Sequence, residues 1–306
     1  MFDEFKHAFH RYNNAHVQLI IINVVVFVAI GVLVVISTLS GFDGVATFVK
    51  TQFAIPPTIG EFLTRPWTLI TYMFAHSLSD IFHILFNMLV FYWFGKLFVE
   101  YLGSDKLVAT YILGGLAGGI AFLLVYNLVP YYSDRLVVSG EALDTYHFPG
   151  MVGASAAIYC VVVAIATLIP DYTFFLLFLG PVRIKYIAAF YIVVSFLGSI
   201  GYNAGGNIAH LGGALMGFIY TKQLQAGVNW GAWITATIQY IKDLFKAKPK
   251  VKVSFRNDKP PVQKKSGKPS VSQAELDAIL DKISAGGYES LTKDEKEKLF
   301  NASKKQ

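Results

Sequence analysis

Charge is what this chain has least of. Only 15% of its 306 residues are charged, against 54% hydrophobic, where a soluble domain carries about 25% charged residues. That shortage excludes an ordinary soluble globule and points to a membrane protein. The single cysteine, Cys160, lies inside an apolar run, so no intramolecular disulfide can form and the redox compartment is not readable from it. No His-Glu-x-x-His occurs, which disfavours a metalloprotease, and the tail holds no calcium-loop or zinc pattern. The apolar stretches carry almost no Asp, Glu, Lys or Arg except at their ends. This argues against an ion-coupled transporter, and no inverted repeat supports a channel. The charge that is present is lopsided: residues 1–240 hold 10 Lys+Arg against 11 Asp+Glu, and residues 241–306 hold 16 against 9. The basic balance belongs to a tail, so a nucleic-acid role for the body is excluded.

What the chain does have is long apolar runs. A bilayer core needs about 20 apolar residues per helix, and six stretches qualify: about 19–39, 81–99, 107–128, 153–169, 184–200 and 205–221. The first follows a polar leader (1–16) with His7, His10, Arg11 and His16. It is too long for a signal-peptide core and has no small-residue cleavage site after it, so it reads as a retained helix. Metal binding by the leader histidines is possible, but a solvated leader is the plainer reading. Basic residues bias the orientation: Lys6, Arg11, Lys96, Lys106, Arg183, Lys185 and the tail fall on one side, and only Lys50, Arg65 and Arg135 on the other. The positive-inside rule then gives N-in and C-in. The connection 40–75 is long and apolar and reads as a loop in the membrane interface; 129–150 reads as a polar outer loop. Trp230, Trp233, Ile234, Ile238, Ile241 and Phe245 recur at helical spacing, predicting an amphipathic helix (223–246) on the inner surface. A basic linker (247–269) follows, suited either to anionic lipid or to a solvated spacer. Residues 270–306 read as a helical hairpin with capping boxes at Ser272/Glu275 and Thr292/Glu295, a break at Gly286-Gly287, and a stripe of Leu276, Ile279, Leu280 and Ile283 facing Tyr288, Leu291, Leu299 and Phe300. Its expected job is docking an unknown partner, or regulation.

Polar groups in spans are costly and therefore candidates for function. His83 and Asn87 are four apart on one face of the second span and can donate to a common point, as an oxyanion hole requires. Ser155 sits between small neighbours at the start of the fourth span, where its backbone N–H is also unpaired. His210 lies beside Gly212-Gly213, with Gly217 one turn on; small residues at that spacing let helices approach closely, bringing His210 within reach of the Ser155 proton. Tyr159, one turn after Ser155, can stack on the imidazole. Each feature also has a plain packing reading, and spacing alone leaves the two open.

Taken together, the segments match a family. Phe74-Ala75-His76, His83-Ile84-Leu85-Phe86-Asn87-Met88 and Phe94-Gly95 resemble the second-span signature of rhomboid proteins. Gly153-Ala154-Ser155 resembles their nucleophile motif, Ala209-His210-Leu211-Gly212-Gly213 their histidine motif, and Arg65-Pro66-Trp67 the stretch closing their first outer loop. The resemblance covers about residues 17–222. It implies an all-α, six-helix rhomboid bundle (17–222) and an intramembrane serine protease with a Ser155–His210 dyad and no acidic third member. His83, Asn87 and the Ser155 N–H would form the oxyanion hole, with Tyr159, Gly153 and Gly213 in support. No cofactor or metal is implied. Substrates would be transmembrane segments of single-pass proteins, cut near their outer end, with the fifth span as a lateral gate. The commonest family pattern has Gly after the nucleophile, where this chain has Ala156. That departure and the extra tail motivate an alternative, an inactive rhomboid-like protein that binds transmembrane clients. The absence of transit-peptide composition suggests a plasma (bacterial inner) membrane.

Overall fold

Inside a bilayer only a helix or a closed barrel satisfies its own backbone, and the long apolar runs of this chain are helical throughout. The computed structural model describes residues 13–133, 150–176, 179–201, 203–245 and 271–303. The chain divides into two compact units, Met1–Lys246 and Ala247–Gln306. The first holds α1 (Ala15–Leu39), α2 (Asp43–Phe53), α3 (Ile59–Thr64), α4 (Thr68–Thr71), α5 (Ile81–Leu102), α6 (Ser104–Leu128), α7 (Ser155–Leu168), α8 (Ile184–Gly198), α9 (Ala204–Gln225) and α10 (Ala232–Phe245). Among the described residues α1, α5 and α6 are long and apolar enough to cross a membrane. The apolar α7 and α8 are shorter, at 14 and 15 residues. Val25, Val28, Phe82, Phe86, Phe190 and Phe196 all point outward from α1, α5 and α8. So large an apolar surface belongs against lipid: the chain is membrane-embedded.

The core is built around α7, whose Val161, Val162, Ala164 and Ile165 are fully buried between α6 and α9. Glycine makes that contact possible. A Cβ added at Gly213 would overlap the Ala156 carbonyl, one at Gly217 the Cys160 carbonyl, and one at Gly114 the Cys160 side chain. Because 14 helical residues rise only about 21 Å, less than the hydrocarbon core of about 30 Å, the backbone leading into α7 must find partners within the protein. It does. Ile55 and Met151 exchange backbone hydrogen bonds of 3.0 Å, and Gly153 N–H donates to the Tyr72 carbonyl at 3.0 Å. The Tyr72 region is itself anchored: Tyr72 OH donates to the Gly115 carbonyl at 2.6 Å, and Tyr111 OH to the Met73 carbonyl at 2.7 Å. Asn23 of α1 is fully buried and donates to Tyr111 OH at 3.1 Å.

Several expectations need correcting. The fold is helical as expected, but it also carries a ribbon that was not expected: β1 (Thr173–Leu176) pairs antiparallel with β2 (Gly180–Arg183) between α7 and α8. These four-residue strands follow Pro170-Asp171 and are too short to show a period. The connection 40–75, expected as an interfacial loop, is built as a chain of short helices, α2 to α4, and a 3₁₀ turn at Tyr72–Phe74. His16 does not belong to a solvated leader, since α1 begins at Ala15 and His16 is buried against Tyr92 with ring centres 5.8 Å apart. The start of α1 is tied to that of α6, where Asn13 Oδ1 accepts from Ser104 N–H at 2.9 Å and Ser104 Oγ accepts from Ala15 N–H at 3.2 Å. Gly103, at φ +83, supplies the tight turn into α6. Residues 223–225 continue α9, and the amphipathic helix begins only at Ala232, with Ile234 buried on Ala109 and Tyr220. Residues 1–12 of the leader, 134–149 of the outer loop and the whole of the linker (247–269) lie outside the described residues.

The second unit holds α11 (Gln273–Gly286) and α12 (Lys293–Ser303). Ser272 and Glu275 cap α11 reciprocally, and Glu295 accepts from Thr292 N–H at 2.8 Å. Ile279 and Leu291 are its buried apolar residues, while Leu280, Tyr288 and Phe300 remain exposed, so the apolar stripe is only partly covered. The Thr292 N–H, followed by Lys282, pulls the Glu295 carboxyl down to about 2; Glu275 is lowered first by the Ser272 N–H and then by Lys298. A carboxyl depressed on folding contributes stability above its unfolded value near 4.3 and loses it as pH falls through its folded value. Amide exchange at Gln273–Ser303 in the full chain is therefore expected to accelerate beyond the intrinsic rate between about pH 4.3 and about pH 2. Glu295→Gln is expected to lose most of that pH dependence.

Candidate functional site

The site is assembled from the ends of four helices. Ser155 is the first residue of α7, whose leading N–H groups have no intrahelical acceptor and no side-chain cap from Ala154. Gly213 and Gly217 bring α9 against α7, and Ser155 Oγ lies 2.7 Å from His210 Nε2. Tyr159, one turn along α7, stacks on the His210 ring at 4.2 Å and 14°. His83 and Asn87 come from α5 and line the same cavity of about 310 Å³, with Asp80, Ser155, Tyr159 and His210. Asn87 Nδ2 is buried and has no partner among the described residues. His83 packs edge-on against buried His76, ring centres 5.3 Å apart.

Gly153 shapes the approach to Ser155. Its φ of +137 lies where L side chains are rarely found, and an added Cβ would stand 3.1 Å from His83 Nε2 and 3.5 Å from Ser155 Oγ. A side chain there would fill the space between the two groups. All seven residues singled out from the sequence (Ser155, His210, His83, Asn87, Tyr159, Gly153 and Gly213) thus converge on one cavity or on the helix contact that forms it. Ala156 points elsewhere. It is buried, and a Cβ built on Gly118 of α6 would meet its methyl at 2.5 Å, so the extra carbon sits in room left by Gly118.

Two residues of the site escaped the sequence reading. Ser195 of α8 is fully buried and bonds both His210 Nδ1, at 3.1 Å, and Tyr159 OH, at 2.9 Å; the rule that a polar group in a span is costly would have found it. Asp80 caps α5, its Oδ1 accepting from the N–H groups of Phe82 (3.0 Å) and His83 (3.3 Å). The signal was an Asp immediately before an apolar run. Asp80→Ala is expected to cost about 1 kcal/mol of stability, with Asp80→Asn retaining most of it, as read by thermal unfolding in detergent. Among the described residues no group of three or more His, Cys, Asp or Glu is gathered as a metal site.

A nucleophile, a base at hydrogen-bond distance, and unpaired donors around one cavity can together perform acyl transfer. A family model described as "Rhomboid domain" matches residues 63–226, and one described as "Family of unknown function (DUF6576)" matches residues 268–305. Over 164 residues, 53% of this chain and 48% of the relative, the chain is 31% identical to "RHOMBOID-like protein 12, mitochondrial" of Arabidopsis thaliana. Over 191 residues, 56% of this chain and 49% of the relative, it is 28% identical to "Rhomboid protein 1, mitochondrial" of Saccharomyces cerevisiae. The chain spans about half the length of these curated relatives.

Proposed function

The chain belongs to the rhomboid family, and from that premise we propose that it is an intramembrane serine endopeptidase cutting transmembrane segments of single-pass membrane proteins. The observation that carries this reading is the 2.7 Å contact between Ser155 Oγ and His210 Nε2, made in a cavity where Asn87 Nδ2 has no partner among the described residues. Ser155 Oγ attacks the scissile carbonyl carbon while His210 Nε2 takes its proton. The carbonyl π electrons move onto oxygen, which His83, Asn87 and the Ser155 N–H hold, each such donor accounting for about 10²–10³ in rate. Collapse of the intermediate breaks the C–N bond, and His210 returns the proton to the leaving amine. Water then enters by the same route to free the acyl group and restore Ser155.

Six helices, α1 and α5 to α9, form the spanning set in this proposal, with both ends inside. The membrane in this proposal is a plasma or bacterial inner membrane; the mitochondrial names describe the two relatives. The Ala156 methyl packed on Gly118 removes the main reason to prefer an inactive client-binding protein. Reconstitution of the purified chain in liposomes with a single-pass protein bearing small residues near one end of its span tests the reading. A discrete cleavage product is expected. Failure of a folded preparation to cut any of a panel of such segments would overturn it.

A further inference from the structure

Ser195 is one of only three buried residues on α8, with Ile184 and Ala188. The helix otherwise turns large apolar side chains such as Phe190, Val193 and Phe196 outward. Its hydroxyl has two partners, and both belong to the site: His210 Nδ1 at 3.1 Å and Tyr159 OH at 2.9 Å. A hydroxyl has one proton to give and can accept two, so the direction of each bond is constrained. With Ser195 donating its proton to the Tyr159 oxygen, what it offers His210 is a lone pair. Nδ1 then carries the hydrogen, and Nε2 presents its own lone pair to Ser155 O–H, 2.7 Å away. The opposite direction would put the hydrogen on Nε2, aimed at the Ser155 oxygen, and the imidazole would be unable to take the serine proton. Tyr159 sets the direction by accepting, and Ser195 transmits it.

We infer that Ser195 is a positioning residue that fixes the base-competent tautomer of His210, standing where triad enzymes place a carboxylate. The inference rests on the protease reading for its role in a reaction, but the hydrogen-bond pattern is separately observable. It divides labour between two contacts on the same ring: the Tyr159 face holds its plane, at 4.2 Å and 14°, and Ser195 sets which nitrogen is protonated. Once His210 has taken the serine proton, both of its N–H groups need acceptors, and Ser195 Oγ serves Nδ1 without adding charge to the membrane interior.

The test is ¹⁵N NMR of the histidine-labelled full-length protein in liposomes near neutral pH, the His210 signals being identified by their loss in His210→Ala. The wild type should show His210 protonated on Nδ1. In Ser195→Ala the Nε2-protonated form should become a substantial population. Tyr159→Phe keeps the ring stack but frees the Ser195 proton to turn toward Nδ1, and should move the tautomer in the same direction. Labelling of Ser155 by a fluorophosphonate should slow about tenfold in Ser195→Ala, the size of one net hydrogen bond. Cleavage should show the same fall in kcat with KM within about twofold. An unchanged tautomer in Ser195→Ala overturns the inference even if labelling slows, because the loss would then be one of packing. A wild type that neither labels nor cleaves, but whose tautomer shifts in Ser195→Ala, rejects the protease reading and keeps the hydrogen-bond assignment.

Discussion

Ser155→Ala and His210→Ala are each expected to lower cleavage of a membrane segment by about 10⁴-fold or more, and the double variant is expected to lose no more than either single. The non-additivity follows from geometry. Ser155 Oγ and His210 Nε2 share one hydrogen bond of 2.7 Å, and a hydroxyl without its base is a poor nucleophile, just as a base without the hydroxyl has no proton to take. Both side chains line the cavity, so their removal leaves the helix contacts beneath in place. Unfolding temperatures of all three variants should therefore stay close to wild type while product disappears. Losses that add across the double variant would mean that the two residues act independently, contrary to the proposal.

Gly213→Ala should be nearly as damaging, by a different route. An added methyl would overlap the Ala156 carbonyl and stand 3.2 Å from the Ala156 Cα, and backbone, unlike a flexible side chain, cannot swing away. The helices must separate, at a cost of about 1–3 kcal/mol in overpacking, and His210, one turn before Gly213 on α9, moves away from Ser155. Both thermal stability in detergent and Ser155 labelling should fall. Gly217→Ala, set against the Cys160 carbonyl one turn further from the site, should cost similar stability with less loss of labelling. Equal labelling in Gly213→Ala and wild type would show that the close approach of α9 to α7 is not what brings the pair together.

The parts of this molecule that could be read from its sequence are those with a strong local cause. The long apolar runs had no other stable form in lipid, and Gly213-x-x-x-Gly217 announced a close helix contact. His83 and Asn87, four apart, had to share a face. Ser195 could be flagged as a costly polar group in a span, but its partners could not, because they follow only once the buried face of α8 is known, and that face is narrow, with three residues. The short helices α2 to α4 and the β1–β2 ribbon depend on tertiary contacts, such as the Thr71 hydroxyl donating to the Gln52 carbonyl at 2.6 Å, because pieces of that length do not hold their shape alone. The orientation of the Ala156 methyl was equally hidden, since it depends on Gly118, 38 positions earlier in the chain.

The most direct test of the central claim is covalent labelling of the purified full-length protein with a serine-directed fluorophosphonate, comparing wild type, Ser155→Ala and His210→Ala. No substrate need be known. Labelling of the wild type that vanishes in both variants is the predicted result, since only a serine whose proton can pass to His210 Nε2 is reactive enough. Undiminished labelling in His210→Ala, or none in folded wild type while an active serine hydrolase in the same tube is labelled, would contradict the account.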